Sequence, residues 1–316
     1  MAIIEYFTRF FLEKESFLLM KLNAELVTRI KSMLIDGKKF AEEIKAELKA
    51  EVLNISKKIR LAVINVDPSF AKASEGATRK FLEQKKRFGG AAGIDVRIYE
   101  LPADITTSKL RGKVSEIVHI EENTGVIIQL PLPKEINTQY ILDAITPEKD
   151  PDMLSSKSIG LFSSGRSKIL PPVVGAIDYI FKAYSVELKT KKVVVLGTGR
   201  LVGKPAAIWL INRGATVTAI DENTDDPTLY TVNADIIISG VGVSHLIKPD
   251  MVKEGAVVID CGTSTGSSDV GSERALRGDV DPSVAGKASL FTPVPGGVGP
   301  LTVAMLFKNL VELAKR

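Results

Sequence analysis

Two successive series of short β-branched runs, each interleaved with stretches of helical spacing, leave this chain few folds to adopt. Apolar residues recur at helical intervals over Phe40–Val52 (Phe40, Ile44, Ala46, Leu48, Val52), and Leu61-Ala-Val-Ile-Asn-Val then reads as a buried strand. The pattern predicts a helix over Thr78–Phe88, a strand over Val96–Leu101, a helix over Ser108–Glu122 and a strand over Gly125–Leu130. A second series predicts a strand at Val193–Leu196, a helix over Leu201–Asn212, and strands at Thr216–Ile220, Asp235–Ser239 and Ala256–Asp260. It closes on a helix over Val303–Ala314. Alternation of this kind implies parallel strands joined by crossover helices, so the fold class is α/β. At 316 residues there is room for two domains, each with its own core. The Ser/Gly-rich stretch Leu154–Ser167, closed by Leu170-Pro171-Pro172, marks the expected boundary between them.

Composition removes several classes of function. A net charge of +4, from 42 basic and 38 acidic residues without a long basic stripe, argues against nucleic acid as a partner. The single cysteine, Cys261, rules out an intramolecular disulfide, and with only His119 and His245 a metal site is not expected. No window approaches the roughly 20 apolar residues that span a bilayer, so no membrane partner is expected. Residues 1–32 form an apolar extension interrupted by Glu5, Glu13, Glu15 and Glu25, unlike a secretory or transit segment. A cytoplasmic protein is expected, with Ser69–Gly76 as a loop insertion.

Val193-Val-Val-Leu-Gly-Thr-Gly-Arg-Leu-Val-Gly carries Gly197, Gly199 and Gly203 between a strand and a helix. In that context glycines let backbone approach a pyrophosphate, whose charge the helix N-terminus attracts. The turn Gly197, Thr198, Gly199, Arg200, Leu201, Val202, Gly203 is therefore the candidate dinucleotide site, with Gly242 in the loop after a later strand. Asp221 ends the next strand, beside Glu222, where an acid bonds the adenosine ribose hydroxyls. A 2′-phosphate there would meet like charge, with only Arg200 to offset it, so NAD is favoured over NADP.

Three further segments carry chemistry: Gly125-Val-Ile-Ile-Gln-Leu-Pro-Leu-Pro, Lys149-Asp-Pro-Asp, and Thr292-Pro-Val-Pro-Gly-Gly-Val-Gly-Pro-Leu-Thr. Together they resemble the bifunctional methylenetetrahydrofolate dehydrogenase/cyclohydrolase family, from about Met33 to the C-terminus. The resemblance implies a catalytic domain over residues 33–170 plus 300–316, with the last helix returning to it. It also implies a Rossmann-like domain over 171–299, a cleft where the two meet, and a homodimer. The implied reaction oxidises 5,10-methylenetetrahydrofolate with a nicotinamide dinucleotide and then hydrolyses the methenyl product.

Carried onto this sequence, the family's tyrosine–lysine helix motif falls on Phe81 and Lys85, so Lys85 is the catalytic candidate and phenylalanine replaces the tyrosine. Gln129 is expected to position Lys85 and water. Asp152 is expected to bond the pterin, and Asp150, Leu130, Pro131, Pro293, Pro295, Gly296 and Gly297 to line the folate pocket. Lys86 and Arg87, with desolvation, are expected to lower the Lys85 pKa. The family's Lys-Asp-Val-Asp-Gly reads Lys149-Asp150-Pro151-Asp152-Met153 here, and its Leu-Pro-Cys-Thr-Pro reads Leu170-Pro171-Pro172-Val173-Val174. Loss of the tyrosine hydroxyl leaves open a dehydrogenase with weak or no cyclohydrolase activity. The altered pocket leaves open a non-catalytic NAD- or folate-binding module.

Overall fold

A computed structural model describes residues 33–66, 75–265 and 276–315. Residues 1–32 and positions 69–74 of the insertion lie outside the described residues, while Glu75 and Gly76 belong to a helix. In chain order the first half comprises β1 (Met33–Leu34), α1 (Gly37–Leu53), β2 (Arg60–Val66), α2 (Glu75–Ala91), β3 (Asp95–Leu101), α3 (Thr107–His119), β4 (Gly125–Ile128), α4 (Thr138–Leu142) and α5 (Ser156–Ser163). The second comprises α6 (Pro172–Ala183), β5 (Lys192–Leu196), α7 (Gly203–Asn212), β6 (Thr216–Ile220), α8 (Thr228–Thr231), β7 (Ile236–Ser239), β8 (Val257–Asp260), β9 (Ser264–Thr265), β10 (Leu276–Arg277), β11 (Leu290–Phe291) and α9 (Val298–Ala314).

Two parallel sheets result, in the orders β3-β2-β4 and β1-β11-β8-β7-β5-β6, with a small antiparallel pair β10-β9. The largely apolar, almost wholly buried runs of β2, β4, β5 and β7 reflect burial on both faces, as parallel sheets require. Met33–Leu34, expected in the first domain, pairs instead with β11 and so joins the larger sheet. Helix α9 packs against α1 and α6, and its fully buried Phe307 stacks on Phe88 of α2 at 5.1 Å. Asn309 fastens the same helix by donating to the carbonyls of Pro151 (2.9 Å) and Leu170 (2.7 Å).

The boundary stretch is more ordered than its composition suggests. Ser155 caps α5 by accepting from the Ser158 amide at 3.2 Å, and both serines are buried. Pro172, read as punctuation, occupies the first turn of α6, where its missing N–H has no partner to lose. Pro300 does the same in α9, which begins at Val298 rather than at Val303. Helix α3 ends at His119, short of Glu122, because Ile120 turns extended. The Lys149 ammonium collects the freed carbonyls of Val118 (2.7 Å) and Ile120 (2.9 Å). Lys149→Met is expected to lower unfolding free energy by about 1–3 kcal/mol, the worth of hydrogen bonds from a charged donor. Chemical denaturation of the variant against the parent measures it, and an unchanged midpoint and slope would show the tether to be dispensable.

Candidate active site

Helix α2 carries Phe81 and Lys85 one turn apart. The buried residues Leu82 and Phe88 press it into the core. Gly89 lets it lie so close to β3 and α9 that a Cβ there would run into Val96 and Phe307. The helix therefore presents Lys85 from a fixed platform. Lys85 Nζ donates to Gln129 Oε1 at 3.0 Å, and Gln129 Nε2 donates to the carbonyl of Leu130 at 3.0 Å, fixing the amide's orientation. Gln129 follows the C-terminal end of β4, where a parallel sheet opens its ligand crevice. The Phe81 ring centroid lies 6.0 Å from Lys85 Nζ, within cation–π reach.

Burial lowers the Lys85 ammonium below the usual lysine range, and the nearby Asp152 carboxylate restores part of the shift. Lys86 and Arg87, expected to contribute, are exposed, where solvent screens them; desolvation is what acts on Lys85. Asp152 is pushed up to about 6, chiefly by burial, with Lys85 opposing and Asp150 adding to the rise. Asp150, expected to contact substrate, is only 1% exposed and spends both oxygens on backbone. It accepts from the amides of Leu154 (3.3 Å) and Ser155 (2.9 Å), so it shapes the turn that carries Asp152.

On the other side, β5 delivers the chain into Gly197, whose φ of +88° a side chain would resist. A Cβ on Gly203 would collide with the Gly197 carbonyl, so the turn closes only with glycine there. Helix α7 begins at Gly203, two residues later than expected, because Gly199–Val202 are spent on the turn. Asp221, after β6, accepts from Thr198 Oγ1 (3.1 Å) and from both the amide and the side chain of Asn223 (3.1 Å each). The Asn223 bonds first, then Thr198, hold this carboxyl below its ordinary range, so it is charged at neutral pH.

Between the halves lies a cleft of about 460 Å³. Leu130, Pro131 and Thr138 line it from one side; Gly199–Val202, Gly240–Gly242 and Cys261–Thr263 line it from the other. The expected residues Leu130, Pro131, Gly199, Arg200, Leu201, Val202 and Gly242 thus meet at one place, with Gln129, bonded to Lys85, preceding Leu130 in sequence. Pro293, Pro295, Gly296 and Gly297 are not among its lining; their loop packs on the start of α1 instead. The Gly37 amide donates to the Gly296 carbonyl at 2.9 Å, and a Cβ on Gly37 would strike the Gly297 carbonyl. Sequence reasoning missed two buried carboxylates beneath the cleft, Asp260 and Asp279. Their signal was present in the adjacent Gly262 and Gly278, at which a Cβ would overlap the Asp279 and Asp260 carboxylates respectively.

A desolvated lysine held by a glutamine whose next residue, Leu130, walls a cleft shared with a glycine turn that opens a helix defines a two-domain α/β oxidoreductase of the dinucleotide-using kind. Residues 35–152 match the tetrahydrofolate dehydrogenase/cyclohydrolase catalytic domain, and residues 171–316 match the NAD(P)-binding domain of the same enzymes. The chain is 40% identical over 288 residues to the bifunctional protein FolD of Aliarcobacter butzleri, covering 90% of this chain and 96% of that one. The crystal structure of the bifunctional FolD from Campylobacter jejuni is similar with a TM-score of 0.84 at 36% identity, over 90% of this chain and 99% of that chain. The Trypanosoma brucei FolD, solved with NADP and an inhibitor, gives 0.83 at 32% identity, over 90% and 98%. The chain belongs to the tetrahydrofolate dehydrogenase/cyclohydrolase family. Its activities are those of a methylenetetrahydrofolate dehydrogenase and a methenyltetrahydrofolate cyclohydrolase, which leaves the binding-module reading without support.

Proposed function

We propose that both steps use the one cleft, with Lys85 assisting proton transfer in hydrolysis, Gln129 orienting Lys85 and the attacking water, and Asp152 bonding the pterin. The observation that carries this reading is the 3.0 Å bond from a desolvated Lys85 to Gln129. A lowered lysine pKa increases the share of neutral amine near pH 7, the form able to take a proton from water as it attacks the methenyl carbon. Phe81 supplies a ring against the Lys85 stem and no hydroxyl, so proton transfer falls to Lys85 and water. A bound dinucleotide supplies a nicotinamide ring that accepts the hydride of the methylene carbon. The residues suited to holding it are the glycine turn Gly197–Gly203, where open space at Gly199 admits close backbone approach, and Gly242. Pro293, Pro295, Gly296 and Gly297 act in this reading by buttressing α1 beside the folate side. The test is nicotinamide reduction with methylenetetrahydrofolate and, separately, decay of supplied methenyltetrahydrofolate; a protein inert in both would remove the reading.

NAD over NADP is the finer reading, and its support is local. Asp221 is held charged by Thr198 and Asn223 at the strand end where a ribose 2′-substituent would lie. Arg200, in the turn, is the nearby cation. The Trypanosoma brucei relative was solved with NADP, so family membership alone does not decide the matter. Asp221→Ser is expected to raise kcat/KM for NADP relative to NAD by about tenfold, the effect of removing one like charge from a partly desolvated site. Initial rates with each dinucleotide measure it, and an unaltered ratio would separate Asp221 from cofactor choice. The chain is further read as a cytoplasmic homodimer on the family resemblance, which light scattering after size exclusion tests for oligomeric state. Among the described residues no helix is long and apolar enough to cross a membrane.

A further inference from the structure

Beneath the dinucleotide side of the cleft, two buried carboxylates stand back to back. Asp279, with no exposed surface, accepts from Ser239 Oγ (2.7 Å), the Val241 amide (2.7 Å) and the Gly242 amide (2.9 Å). Asp260, 1% exposed, accepts from the amides of Gly262 (2.8 Å), Asp279 (3.1 Å) and Val280 (2.9 Å). The first thus ties the loop after β7, and the second ties the loop after β8, to the segment Gly278–Val280. Both loops line the cleft. No other side chain of this size accepts three converging donors; an amide offers one acceptor oxygen and brings donors of its own. A buried carboxylate is tolerated only when hydrogen bonds replace its hydration, and here three of those bonds, from Val241, Gly242 and Gly262, come from residues that line the cleft.

The loop after β7 has little slack. A Cβ on Gly197 would lie 2.8 Å from the Gly240 carbonyl, and one on Gly240 would lie 2.7 Å from Val202 Cβ. The glycine turn and the loop held by Asp279 are therefore in direct contact, and displacement of one moves the other. Gly242, at φ +81°, directs its amide down to Asp279 while its α-carbon faces open space.

We propose that Asp279 is a positioning residue for dinucleotide use, setting the Val241–Gly242 wall of the cleft against the glycine turn through its bonds to Ser239, Val241 and Gly242. The proposal rests on the dehydrogenase reading, and it separates the two activities. Hydrolysis of a supplied methenyl substrate needs water and no dinucleotide, so it is indifferent to this wall.

The experiment compares wild type, Asp279→Asn and Ser239→Ala in dehydrogenase assays, in cyclohydrolase assays on supplied methenyltetrahydrofolate, and in calorimetric binding of NAD and NADP. Asp279→Asn is expected to raise the dinucleotide KM and Kd about tenfold or more, because a buried amide is left facing a donor. Its cyclohydrolase kcat/KM and its KM for methylenetetrahydrofolate should stay within about twofold of wild type, since their residues lie across the cleft. Ser239→Ala removes one donor and keeps the two amides, so a rise of about threefold is expected. Parallel loss of both activities in Asp279→Asn would show a role in folding alone and overturn the proposal. So would an unchanged dinucleotide Kd in that variant, or in Ser239→Ala should the first not fold. Wild type that binds dinucleotide without oxidising methylenetetrahydrofolate would count against the dehydrogenase reading, and the binding comparison would still decide the role of Asp279.

Discussion

Lys85→Met is expected to lower cyclohydrolase kcat by about 10²–10⁴-fold, the usual contribution of a positioned acid–base group. Methionine keeps the length of the stem, and α2 should stay seated through Leu82 and Phe88. It removes the amine that Gln129 holds for proton exchange with the attacking water. Gln129 would lose its 3.0 Å donor while its bond to the Leu130 carbonyl still holds the amide in place. Lys85→Arg separates charge from proton transfer, because arginine keeps the positive charge and stays protonated. If arginine restores hydrolysis, Lys85 works by electrostatics. If it does not, proton transfer is the role, and wild-type hydrolysis should rise with pH through a lysine titration displaced below its ordinary range by burial. Full hydrolysis in Lys85→Met would remove the residue from the mechanism.

The spacing Phe81–Lys85 and the position of Gln129 after a strand were legible because each depends on one local period: a helical turn, and a strand end. Their meeting at 3.0 Å was not, since it depends on the parallel pairing of β2 with β4, which brings residues 44 apart in sequence together. The α/β class and most elements followed from apolar periodicity. What stayed out of reach was order that tertiary contacts impose. The serines of Leu154–Ser167 read as a domain boundary, and within it Asp150 and Asp143 gather their amides and fold them into α5. The family motif places Asp150 in the folate pocket; its structural part, holding the Leu154 and Ser155 amides, depends on how the turn folds. The loop Pro293–Gly297 read as lining of the folate pocket, and its backbone contact with Gly37 was not legible because it depends on how α1 packs. Asp260 and Asp279 went unread because aspartates at strand ends are common, and only the crowding at Gly262 and Gly278 sets these apart.

Asp152→Asn is expected to lose both activities while gaining stability at neutral pH, a combination that a structural residue would not show. The donor edge of a pterin, with a ring N–H beside an amino group, fits two carboxylate oxygens. Asparagine offers one acceptor and turns a donor toward a donor, so kcat/KM for both folates should fall about 10²-fold. The stability effect follows from the raised pKa. Folding lifts the carboxyl from 3.8 to about 6, so between those values the native state holds more protons than the unfolded state. Stability therefore falls as pH climbs through that window, and above it the ionised group remains a penalty on the order of 1–3 kcal/mol. Asparagine removes the penalty, so the variant should melt above wild type at pH 7.5 and level with it near pH 4, where the native carboxyl is already neutral. Loss of the Asp152 charge also withdraws what raises Lys85, so residual hydrolysis should shift its pH profile downward. A variant that melts higher yet keeps its folate affinity would leave Asp152 a half-buried carboxyl with no substrate to hold. One that loses affinity but melts equally at both pH values would mean that the wild-type carboxyl is solvated, and that its pairing with Lys85 is looser than the shared burial implies.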